Sequence, residues 1–415
     1  MSVKIHLNYT GQEPNTSYFC ALMTKSKNKF HFLVYLAFLS IIGMLATDLY
    51  LPAFERMRID LQTSKSMIGA SLTLYLSGFA IAQLIWGPVL DSIGKPKSIL
   101  LGMLIFVLSS IGIFFTQSPL VLMGLRLFQA IGACAAAVSW QALVVDRYPA
   151  SETKKIFASI MPLVALSPAL APLMGVFISE HFGWRYIFVF MALLGLLIIL
   201  YSLTLKDEKQ KTEIKSLNHK SANYLSFLKS KKYVGNVLIY AFCSAGFFAW
   251  LTGAPFFLID LGYSEAEIGW SFVPQTIAFM LGGYGYRMLA KNINALKILP
   301  FLLFLYAISL VAILLISIFT NPTLSTLLTS LCVMAFANGA TYPIVVSEAL
   351  TPFKENSGKA SALQNTIQLG ACFLASAFVS AFSQNALLAT AIVMAVTVPL
   401  AYWAYGLTKI KTVPS

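Results

Sequence analysis

Charge is scarce in this sequence. Asp, Glu, Lys and Arg make up 11% of its 415 residues and apolar types 58%, with a mean hydropathy of +0.76. A soluble chain carries about 25% charged residues. The deficit excludes a soluble globular protein and implies a polytopic membrane protein. Cysteine and histidine are scarce too. Cys20, Cys134, Cys243, Cys332 and Cys372 are widely separated, four of them within apolar runs, and read as small packing residues. His6, His31, His181 and His219 are scattered, His31 at the mouth of the first apolar run, and no Cys or His spacing resembles a metal site. No signal peptide is expected either, since residues 1–22 are polar and lack a positive region followed by an apolar core. Met23-Thr24-Lys25-Ser26-Lys27-Asn28-Lys29 reads as a natural basic start, so 1–22 are expected to be dispensable or to lie upstream of the true start.

What is present is a series of apolar stretches of membrane-spanning length, near residues 31–54, 67–90, 98–116, 119–142, 156–179, 184–205, 235–259, 267–286, 298–319, 323–346, 357–382 and 386–406. A crossing helix needs about 20 such residues. The expected fold is all-α with twelve transmembrane helices in two six-helix halves. Its parts are a cytoplasmic segment 1–29, an N-terminal bundle 30–205, a lysine-rich linker 206–233, a C-terminal bundle 234–408 and a tail 409–415. The net charge of +13 is explained by its placement along the chain. With both termini in the cytoplasm, 24 of the 29 Lys and Arg fall on that side, only Arg56, Arg58, Lys65 and Arg185 fall opposite, and Arg126 lies within the membrane. The basic balance therefore marks topology, and no nucleic-acid partner is expected.

Two charges sit where lipid makes them costly. Asp48 interrupts the first span within Thr47-Asp48-Leu49-Tyr50-Leu51-Pro52, and Arg126 lies in the fourth among leucines and alanines. A charge at a helix centre costs about 2.5–3.5 kcal/mol on insertion scales, so such residues default to proton or substrate sites. On the helix of Arg126, Gln129 lies about 60° and Trp140 about 40° from it, a shared face expected to line a cavity. Gly132 follows Gln129 by three. The fifth span has Pro168 and Pro172 four apart, expected to bend it, and Gly175, which permits close approach. The second half replaces charges with amides and aromatics: Asn236, Tyr240, Trp250, Gln275, Asn338, Tyr342, Gln364 and Gln368. Helix–helix hydrogen bonding explains any one of them. Together they suit a flat polar heterocycle. A faint repeat pairs Pro52 and Ile68-Gly69 with Pro255 and Ile268-Gly269.

Gly87-Pro88-Val89-Leu90-Asp91-Ser92-Ile93-Gly94-Lys95-Pro96-Lys97 resembles the loop signature Gly-x-x-x-Asp-Arg-x-Gly-Arg-Arg/Lys of the major facilitator superfamily. Ser92 replaces the arginine and Lys95-Pro96 the basic pair. A phosphate loop is excluded there by Val89 and Pro96. Arg126-x-x-Gln129-x-x-Gly132 resembles the family's fourth-helix arginine motif, and Ser167 to Gly175 its fifth-helix antiporter motif, with Ala171 for a glycine. From about residue 30 to 408 the chain resembles bicyclomycin-resistance type drug/proton antiporters, most tellingly at Thr47 to Phe54, and within them carriers that export purine nucleosides. The latter likeness is carried by Ala135 to Leu143, Ala249 to Gly253, Val273 to Phe279, Asn338 to Ala340, Tyr342 to Val346 and Ala362 to Thr366.

The resemblance implies a monomeric carrier in the bacterial inner membrane, an exporter of purine ribonucleosides and not an enzyme, with no cofactor but the proton gradient. Asp48 and Arg126 would couple protons, and Tyr50, Gln129, Trp140, Tyr240, Trp250, Asn338, Tyr342, Gln364 and Gln368 would meet substrate. Gly87, Asp91, Gly94, Pro168, Pro172 and Gly175 would serve conformational motifs. A multidrug antiporter with other substrates, a proton symporter for uptake and a non-transporting membrane receptor remain open.

Overall fold

A computed structural model describes residues 16–148, 150–205, 224–289, 295–320 and 322–409; some side chains in these segments, Asp91 and residues 16–29 among them, lie outside the description. Among the described residues, twelve helices of 20 residues or more dominate. In order these are α1 (Thr16–Asp48), α3 (Lys65–Ile93), α4 (Lys95–Phe115), α5 (Pro119–Arg147), α6 (Ala150–His181), α7 (Arg185–Thr204), α9 (Lys231–Asp260), α10 (Glu265–Leu289), α11 (Ala295–Phe319), α12 (Leu324–Leu350), α13 (Ser357–Ala381) and α14 (Ala386–Thr408). Two short helices, α2 (Phe54–Asp60) and α8 (Tyr224–Leu228), complete the numbered set. Among the described residues, ten stretches within the long helices are long and apolar enough to cross a membrane. The expected linker 206–233 falls outside the described residues up to 223.

Local chemistry sets the helix ends. Ser64, Ser118, Ser230 and Thr323 each accept a backbone N–H of the first turn of α3, α5, α9 and α12. Gly94 joins α3 to α4 at φ 87°, a left-handed conformation that glycine adopts without a Cβ penalty. Gly87 has open space around it. The expected first span, 31–54, is broken: α1 stops at Asp48, and a 3-10 turn at Leu51–Ala53 leads into α2. Pro52 causes this, for it offers no N–H to the Asp48 carbonyl and its ring clashes with that oxygen. Helix α6 runs continuously through Pro168 and Pro172.

Helices α1 to α7 pack with one another, as do α9 to α14, and the two groups meet chiefly where α3 lies against α13 and α6 against α10. The repeat marks both seams. A Cβ on Gly69 would press on Ser380 of α13, and one on Gly269 on Val176 of α6. At one end of the molecule the connections are tied together by Arg56–Glu265, Lys65–Asp260 and Arg185–Asp60, and this is termed the ion-paired end. Lys232–Glu348 and the Tyr233 hydroxyl on the Ala360 carbonyl mark the opposite, lysine-rich end.

Candidate functional site

The break in α1 creates the site. The last four carbonyls of a helix have no intrahelical partner, and Ala46 lies in that final turn. Arg126 of α5 reaches across and donates from Nη2 to the Ala46 carbonyl at 2.8 Å. A cation at a helix C-terminus also meets the negative end of the dipole. Nη1 donates to Gln129 Oε1, whose amide nitrogen donates to Ser110 Oγ on α4 at 2.7 Å. The guanidinium lies 4.2 Å from the ring centre of Tyr50 and 4.4 Å from that of Tyr75, with Phe188 at 5.9 Å. Arg126 is fully buried, and its Nε has no partner.

These partners lower the cost of a buried cation without neutralising it. Guanidinium is weakly hydrated and stacks on aromatic faces, each desolvated contact being worth about 2 kcal/mol. An uncompensated buried charge still costs several kcal/mol. Asp48, itself 3% exposed, is the acid of this turn, but among the described residues it forms no ion pair with Arg126. Among the described residues, Asp48 Oδ1 meets the Thr47 hydroxyl at 2.8 Å and Arg126 meets carbonyl, amide and rings. The Thr47 oxygen also lies 2.7 Å from the Met44 carbonyl. It has one proton for two acceptors.

Three further features build this corner. A Cβ on Gly175 would run into the Leu49 carbonyl, so α6 closes on the break only because that residue is glycine. A Cβ on Gly132 would meet the Gly102 carbonyl at 2.5 Å and the Phe106 nitrogen at 2.6 Å, so α5 crosses α4 backbone to backbone. The Tyr50 hydroxyl lies 3.2 Å from Ser71 Oγ, and that of Tyr75 donates to the Gly43 carbonyl at 3.1 Å. Tyr75, Phe188 and Ser110 are not among the residues that the sequence marks as a site. The usable signal was depth: Tyr75 is ten residues into α3 and Arg126 seven into α5 from the same end.

The face of α5 expected to line a cavity is packed instead. Arg126 and Gln129 are fully buried, and both ends of the Gln129 amide are occupied, so it positions Arg126. Trp140, 4% exposed, lies fourteen residues further along, about 21 Å at 1.5 Å per residue, and cannot touch Arg126. In the second group, Tyr240 and Tyr342 have ring centres 5.0 Å apart. Asn338 donates to the Cys243 carbonyl at 3.3 Å and Gln368 to Cys372 Sγ at 3.4 Å. The side-chain oxygens of Asn338 and Gln364 and the Trp250 indole N–H are buried without partners. Asn236 and Gln275 bond their own helices, at the Lys232 and Ser271 carbonyls.

A Major Facilitator Superfamily model matches residues 36–376. The chain belongs to the major facilitator superfamily. A solved structure titled as a bacterial homolog of the human lysosomal transporter Spinster superposes on this facilitator with a TM-score of 0.71, 16% identity and coverage of 96% of this chain and 97% of its own. An uncharacterized MFS-type transporter, YdgK, of Bacillus subtilis is 29% identical over 345 residues, 80% of this chain and 84% of the relative. A bicyclomycin resistance protein homolog of Haemophilus influenzae is 29% identical over 266 residues, 63% and 67% of the two. This major facilitator protein is thus a multi-pass membrane transporter and not an enzyme.

Proposed function

We propose that this transporter exports small polar heterocycles, purine ribonucleosides first among them, from the bacterial cytoplasm across the inner membrane in exchange for protons. The lysine-rich end would face the cytoplasm with both termini, following the positive residues. On this reading α6 and α10 complete twelve spans, since each packs along the seam between the two six-helix bundles. The name of the Haemophilus influenzae relative supports efflux of a drug-like heterocycle, and the exposed ring of Tyr342 with the unpartnered amide oxygens of Asn338 and Gln364 supports a donor-bearing substrate.

The observation that carries proton coupling is the Thr47–Asp48 pair. One hydroxyl proton faces both the Met44 carbonyl and Asp48 Oδ1, and a protonated Asp48 supplies the second hydrogen that this arrangement lacks. Ionised, Asp48 would be the counter-charge that Arg126 lacks. Movement of the bundles would then exchange a proton for an Asp48–Arg126 attraction. One charge crossing 100 mV is worth about 2.3 kcal/mol, enough for roughly a fiftyfold gradient of a neutral nucleoside.

Transport in inverted membrane vesicles tests the direction. An antiporter accumulates radiolabelled adenosine inside them when their lumen is acidified, whereas a symporter driven by the same gradient depletes it. Binding of adenosine, guanosine and inosine to purified protein, alongside bicyclomycin, separates nucleoside export from a multidrug carrier with other substrates. Binding without any transport would instead favour a receptor.

A further inference from the structure

Two ion pairs join the helix groups at the ion-paired end. Lys65 Nζ lies 2.5 Å from Asp260 Oδ1 and 2.7 Å from Oδ2, and Arg56 Nε lies 2.6 Å from Glu265 Oε1. The Arg56 guanidinium also donates from Nη1 to the Ser179 carbonyl at 2.9 Å, which sets it against α6. By contrast, Arg58–Glu55 and Arg185–Asp60 stay within the first group. Beneath the bridges the seam is filled by small and hydroxyl groups. Thr73 Oγ1 lies 2.8 Å from Ser376 Oγ, which accepts from Thr252 at 3.0 Å, and the Phe54 and Phe256 rings are 5.4 Å apart.

Exposed ion pairs contribute little to the stability of a fold. The placement of these charges argues for more than surface decoration. Lys65 is the first residue of α3 and Asp260 the last of α9. A cation at a helix N-terminus and an anion at a C-terminus each oppose their own helix dipole, so each is favourable only through its partner across the seam. Glu265, the first residue of α10, keeps one carboxyl oxygen buried without a partner, which ties its burial to Arg56.

We propose that Arg56, Lys65, Asp260 and Glu265 form a two-bridge latch that holds the ion-paired end shut and positions the two helix groups for transport, by setting how often that end opens. The latch rests on the proposed function above, in which the two bundles move to exchange proton and substrate by alternating access. Its loss would favour the state open at that end, speed return from it less than entry into it, and change turnover without touching substrate.

The test uses full-length protein in liposomes, with the five native cysteines replaced by alanine and one cysteine introduced on the seam by Ser380→Cys. A membrane-impermeant maleimide applied to the ion-paired face reads opening. Spin labels replacing the exposed Ile59 and Trp270 provide a second reading that leaves the seam intact. The Lys65→Gln, Arg56→Gln double variant should label about five- to twentyfold faster, the sum of two exposed pairs acting on one equilibrium, and its label pair should move apart. Lys65→Asp combined with Asp260→Lys restores a pair and aligns both charges with their helix dipoles, so it should label no faster than the parent. Equal rates and distances in all three proteins, in a parent whose labelling still responds to adenosine, overturn the latch alone. A parent whose labelling and spin-label distance respond to neither adenosine nor a pH gradient removes alternating access itself, and the latch with it.

Discussion

Among the described residues Arg126 has no carboxylate within ion-pair distance, and that single fact organises the chemistry of the N-terminal corner. Its charge is distributed over the Ala46 carbonyl, the Gln129 amide and two tyrosine faces. Gln129→Leu strips one arm of that support: a guanidinium N–H loses its acceptor, and Ser110 Oγ, which still donates to the Phe106 carbonyl at 2.7 Å, loses its donor. Each buried polar group left unsatisfied costs about 1–3 kcal/mol, so the variant should lose thermal stability in detergent by several degrees while still reaching the membrane. Arg126→Lys should cost transport more than stability, because a point-like ammonium keeps the charge but cannot stack between Tyr50 and Tyr75 while reaching Ala46. Transport at least tenfold below the parent, with adenosine binding measured alongside, checks this.

Among helices, the arginine motif of α5 is a geometric device spelled at three-residue spacing. Arg126 serves α1, Gln129 serves α4 through Ser110, and Gly132 lets α4 and α5 touch at Gly102. Gly175 does the same for α6 at the break in α1. Gly175→Ala should therefore displace a backbone carbonyl and abolish transport, whereas Gly124→Ala, which meets nothing within 4 Å, should leave it unchanged; paired uptake assays on the two variants decide. The break itself is not legible in the apolar run 31–54 read as one span, even though its cause, Pro52, stands in the sequence and forbids the helix beyond it. The burial of Asp48 and Arg126 is legible, because a charge in an apolar run has to lie inside the bundle or meet a partner. Their partners were not legible. Arg126 binds a backbone carbonyl, which every residue type carries, and the helix face assigned to a cavity proved to be packed because periodicity gives direction around a helix but not what lies opposite.

For the molecule as a whole, the sequence marks two seams with Gly69 and Gly269 but does not say that α3 meets α13 and α6 meets α10. That pairing depends on which groups of helices face one another, information spread over hundreds of residues. Lysine placement along the chain carries the expected orientation. Cysteines introduced at Thr63 and Ser92 should be labelled from opposite faces of intact cells, Thr63 from outside; labelling of both from one face would contradict the assigned orientation. The central claim concerns the exchange of a proton for substrate at Asp48, and substrate-evoked proton release tests it most directly. Adding adenosine to purified parent protein in weakly buffered detergent at neutral pH should acidify the solution, with adenosine affinity falling as the pH is lowered, and Asp48→Asn should bind adenosine with neither response. Equal proton release from Asp48→Asn and the parent would contradict the account.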